Sequence, residues 1–196
     1  MDLSVFLEPK IDLPRVTHIL DGLGPMGRVA TVRGWEKEQM KKLYEAAKGY
    51  HPLTLEHFVP ASVGARTEVI HEGKNSLGAF THFQKRFARS TAHGEEGAVV
   101  FGYNEQEMAL WTGPGYFVVH DAKTAGEIDI DYRELPADTV EGWPEVASNT
   151  ARLGRFVYDG MVDVMRGISS HVSIGRARKK DGWMDAWFVL CRIDPD

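Results

Sequence analysis

The chain has 196 residues, 43% hydrophobic and 26% charged, which is enough to bury a full core within one domain. Its net charge of -5 offers nucleic acid and anionic membrane no bulk attraction, and its single cysteine, Cys191, rules out an intramolecular disulfide and a paired-cysteine zinc site. No apolar run reaches transmembrane length, and the start MDLSVFLEPKIDLP lacks the basic lead and unbroken apolar stretch of a secretion signal, so a cytoplasmic protein is expected.

In chain order, RVTHILD (15–21) reads as a short strand. Gly22-Leu23-Gly24-Pro25-Met26-Gly27 follows with the glycine spacing of a dinucleotide-binding loop, whose glycines let backbone approach a pyrophosphate at a helix N-terminus. The next residues, RVATVRGW, are β-branched and broken by Gly34 where that helix should begin, and no alternating βαβ units follow. A glycine-rich turn is therefore preferred, no cofactor is expected, and an NAD(P)- or flavin-binding oxidoreductase is the outlying alternative. In WEKEQMKKLYEAAKG, Met40, Leu43, Tyr44 and Ala47 fall on one helical face, and Gly49 with Pro52 supplies a stop.

TEVIHE (67–72) has strand composition. NSLGAFTHFQKRFARS reads as a helix carrying Phe80, Phe83 and Phe87 on one face, with His82 and Arg86 four apart on another. GAVVFGY, MALWTG, GYFVVHD and EIDIDYREL are β-rich, the last alternating Ile128, Ile130 and Tyr132 with Asp129, Asp131 and Arg133. ASNTARLGRFVYDGMVDVMRG has the longest helical stripe: Leu153, Phe156, Val157, Met161, Val164, Met165 and Ile168. HVSIGRARKKDGWMDAWFVLCR reads as two strands about a turn at Lys180-Asp181, with Ser173 and Gly175 facing as Leu190 and Phe188 do. The expected fold is α+β, a mostly antiparallel and curled or barrel-like sheet packed against two or three helices. Residues 1–196 form one domain in this reading, with a helix- and loop-rich part at 1–75 and a helix-plus-sheet core at 76–196.

The stretch GYNEQEMALWTGPGYFVVHD (102–121) sets MALW against YFVV across a turn at Gly113-Pro114-Gly115, where Gly115 takes the positive φ of a type II turn. Both faces of this hairpin are apolar, so its sheet must be covered on both sides or curl around something. Trp111, Tyr116 and His120 place a pocket mouth near its tip.

No local motif names a reaction. The eight histidines show no HxH, HxxxH or HExxH spacing, so no metal is expected, and Cys191 sits in a core-like run. The residues point to a binding protein, or cofactor-independent enzyme, for a small, partly apolar, anionic molecule. His82 and Arg86 would hold the anion, Trp111, Tyr116 and Ser173 would line the pocket, and His171 or His120 would act as general acid or base. A non-catalytic homodimer whose apolar sheet is buried by self-association is the alternative.

Overall fold

Eight strands, β1 (Val69–Asn75), β2 (His82–Gly94), β3 (Gly97–Glu105), β4 (Phe117–Asp121), β5 (Ile128–Asp131), β6 (Met161–Gly167), β7 (Val172–Lys179) and β8 (Gly182–Ile193), pair antiparallel in chain order. Strand β8 returns to β1 and closes an up-and-down barrel. This computed structural model describes residues 10–78, 81–94, 97–105, 113–146, 158–180 and 182–195. Closure leaves no free edge, and it answers the doubly apolar strands by wrapping one face around an interior.

Alternation decides what points inward. Val69, His71 and Gly73 of β1 stand opposite Phe87, Lys85 and Phe83 of β2, and the same face continues through Val100, Phe117, Val119, Ile130, Met165 and Leu190. Glycines let the rings lie flat against the wall. A Cβ at Gly175 would stand 2.6 Å from the Met165 sulfur and closer still to the Phe188 ring, and one at Gly73 would meet the Phe83 ring at 2.7 Å.

Four helices precede the barrel: α1 (Leu13–Gly22), α2 (Pro25–Arg33), α3 (Lys37–Ala46) and the single turn α4 (Leu55–Phe58). Asp12 caps α1 by accepting from the Arg15 amide, and Glu36 with Gln39 forms a capping box on α3. Val16, Leu20, Val32, Met40 and Leu43 share one buried cluster with Val172, Ile174, Trp187, Val189 and Cys191, the outward residues of β7 and β8. Leu53, Phe58 and Val59 instead belong to the interior cluster, at the end of the barrel where β4 and β6 finish. The opposite end carries the β1–β2, β3–β4, β5–β6 and β7–β8 connections. Among the described residues, no helix is long and apolar enough to cross a membrane.

Several expected elements change type. RVTHILD is helical, because Asp12 and Pro14 start a helix before it. Gly22 thus ends α1 and Pro25 to Gly27 open α2, so the helix not expected over RVATVR does form, but a helix stands where a dinucleotide loop requires a strand. The helix expected over NSLGAFTHFQKRFARS is β2 from His82 onward, since a spacing of four suits a strand face as well as a helical one. His82 and Arg86 therefore lie along a strand, about 13 Å apart rather than one helical turn. Met161 to Gly167, expected as helix, is β6, buried on both faces and so without the alternation that marks a strand. Residues 147–157 of that segment lie outside the described residues. In the hairpin, Val100, Phe101 and Gly102 are the partners of Val119, Val118 and Phe117; MALW (108–111) lies outside the described residues. Gly115 does adopt positive φ, at 61°.

Candidate functional site

The barrel interior is mostly apolar; His71 and Ser173 face inward too, and four further polar side chains meet in one cluster. Lys85 on β2 stands directly across from Asn104 on β3, Tyr132 follows β5, and Asp163 projects from β6. All four are at most 5% exposed. The Lys85 ammonium donates to Asn104 Oδ1 at 2.8 Å, to the Tyr132 hydroxyl, and to Asp163 Oδ2 at 3.2 Å. Tyr132 in turn donates to Asp163 Oδ2 at 3.2 Å, and Asn104 Nδ2 donates to Tyr132 Oη at 3.1 Å. Every proton on Lys85 thus has an acceptor, which a buried charge requires.

Aromatic rings enclose the same nitrogen. The centroids of Phe83, Phe117, Tyr132 and Phe188 lie 5.7, 5.0, 4.9 and 5.3 Å from Lys85 Nζ. Tyr158 stacks on Tyr132 at 5.2 Å and covers the cluster from the side of Gly115. Phe83, Met184 and Ala186 pack against the interior yet remain half-buried, forming an apolar rim above it. Burial pulls the Lys85 ammonium below the usual lysine range and pushes the Asp163 carboxyl up; their mutual attraction opposes both shifts. Burial also raises the Tyr132 phenol, which stays protonated.

Other sites surround the barrel. At its closed end, His71 Nε2 donates to the Phe58 carbonyl at 3.0 Å, which fixes that tautomer and leaves Nδ1 buried without a partner. Arg192 donates to the His57 carbonyl at 2.6 Å and to Asp194 at 2.6 Å, and Asp194 also meets His171 at 2.9 Å. Desolvation holds His57 well below the ordinary histidine value and His71 down at about 3. His57 Nε2, His171 Nδ1 and Ser173 Oγ are likewise buried and unpartnered.

The residues singled out from sequence are distributed over these places. His171 and Ser173 lie at the closed end, Ser173 facing inward opposite Leu190 as expected. His120 faces outward, paired with Glu134 at 3.2 Å beside a 230 Å³ recess lined by Phe101, Val118 and Leu135. Arg86 also faces outward, bound to Glu68 at 2.6 Å and Gln84 at 2.7 Å, in a 470 Å³ depression with Tyr103 and Trp143. Tyr116 joins this patch, its ring tilted against that of Tyr103 at 5.5 Å and its hydroxyl donating to the Pro144 carbonyl at 2.5 Å. His82 is exposed at the start of β2. Trp111 lies outside the described residues. The structure brings Arg86 together with Tyr116, and His171 with Ser173, but it unites neither pair with His120.

A helical period over FTHFQKRFAR hides the Lys85 cluster. At period two, Phe83, Lys85 and Phe87 share a face, as do Met161, Asp163 and Met165, and a lysine flanked by phenylalanines on one strand face signals a buried charge. No protein-family model matches the chain, and no curated protein or solved structure matches it either.

Proposed function

We propose that the barrel binds one small, mostly apolar molecule through its mouth, and that Lys85, Asn104, Tyr132 and Asp163 meet an oxygen function on it. The observation that carries this reading is a charged pair held inside the barrel among aromatic rings, beneath a half-buried apolar rim. Stability gives no reason for such a pair, because a buried ion pair replaced by apolar residues of similar volume is often neutral or stabilising. An eight-stranded barrel has an interior of the width that side chains or one small ligand fill. The cluster is neutral as a whole, which favours a hydroxyl or carbonyl group over the anion expected from Arg86, whose guanidinium is engaged by Glu68 on the outer surface.

The test is titration with 2-naphthol, a neutral fluorescent probe, against wild type and the double variant Lys85→Met/Asp163→Leu. Saturable binding of one probe per chain, weakened at least about tenfold in a folded double variant, is expected. Unchanged affinity in that variant, or no saturation with folded wild type, overturns the reading.

A further inference from the structure

Among the described residues, Lys85 is the one buried lysine. Its nitrogen has a carboxylate on one side and four aromatic faces around it. An iminium nitrogen needs this same environment: a counter-ion at close range, ring faces that stabilise a cation, and exclusion of the bulk water that would hydrolyse it. The half-buried side chains of Phe83, Met184 and Ala186 continue from this nitrogen toward the rim as an apolar wall.

We propose that Lys85 captures an aldehyde on an apolar molecule as an imine, with Asp163 as its counter-ion. This rests on the binding reading above and names the ligand class. The step balances without any further reactant. The ammonium passes one proton to Asp163, and the free amine attacks the carbonyl carbon. The nitrogen–carbon bond forms, the carbonyl electron pair goes to oxygen, and that oxygen takes up a nitrogen proton to give a carbinolamine. Asp163 then protonates the hydroxyl, water leaves, and the carbon–nitrogen double bond forms as a protonated imine beside the restored carboxylate. Tyr132, which donates to Asp163, and Asn104, which faces Lys85, hold the two partners in place. Burial draws the amine and the carboxyl toward their neutral forms, the pair of species from which attack begins.

The experiment treats the wild-type protein with 2-naphthaldehyde and cyanoborohydride at neutral pH, then maps the adduct by peptide mass spectrometry, with 2-naphthol binding measured in parallel. The expected result, at one to two equivalents of aldehyde, is one naphthylmethyl group per chain, on the peptide carrying Lys85, with the surface lysines unmodified. Saturable 2-naphthol binding with Lys85 unmodified overturns the imine and leaves the binding reading standing. Adducts spread over exposed lysines, with Lys85 unmodified, overturn it equally. Failure of both probes to bind removes both proposals.

Discussion

His71 offers a quantitative test of the closed end. It is fully buried between Phe58 and Phe87, with ring centroids 5.6 and 4.6 Å away, and desolvation holds its folded value at about 3 against 6.5 for the free side chain. Between these values the unfolded chain binds a proton at this site and the native chain does not. Stability is therefore retained above pH 6.5 and lost as pH falls below it, at about 1.4 kcal/mol per unit. At pH 5.0 the loss from His71 alone is about 2 kcal/mol. His57 is shifted in the same direction and adds to the slope, whereas Asp194, held below the usual carboxylate range, keeps its charge in this window. The perturbation is His71→Leu, which forfeits the hydrogen bond to Phe58 at both pH values, so that its cost cancels in the difference. Urea unfolding at pH 7.5 and 5.0, followed by tryptophan fluorescence, should show the variant losing about 2 kcal/mol less than wild type between the two conditions. An equal loss in both proteins would refute the assignment of a neutral, buried His71.

Further outcomes follow from the interior. Lys85→Met alone leaves Asp163 buried without its cation and should lower stability by about 3–5 kcal/mol, whereas adding Asp163→Leu should restore most of that in the same denaturation assay. Gly175→Ala sets a methyl against Phe188 and Met165 and should destabilise by about 1–3 kcal/mol. The Cys191 thiol, pushed up to about 11 by burial against the helices, should resist a thiol reagent such as Ellman's until urea unfolds the chain.

Elements with clear alternation or helical spacing were legible in the sequence: α3, β1, β5, and the β7–β8 hairpin with Ser173 facing Leu190 and Gly175 facing Phe188. Strands apolar on both faces call for cover on both sides or for curling, and the closed barrel takes the second course. Three segments misled for separate reasons. In α1 the cap residues precede the apolar run, so RVTHILD alone looks β-like. In β2, phenylalanines four apart satisfy both periods. In β6 both faces are buried, which removes the polar half of the alternation. The Lys85–Asp163 pair joins β2 to β6, so the two misread strands concealed the charged centre between them.

The central claim is that a ligand enters the barrel beside Lys85, and methionine methyl groups report on it directly. Met161 and Met184 belong to the interior cluster, Met26 is 78% exposed, and Met40 packs among the helices. In protein labelled with ¹³C at the methionine methyls, saturating 2-naphthol should shift the Met161 and Met184 resonances along one binding curve and leave those of Met26 and Met40 in place. Saturable binding that moves Met26 or Met40 while Met161 and Met184 stay fixed would place the site elsewhere and contradict the account.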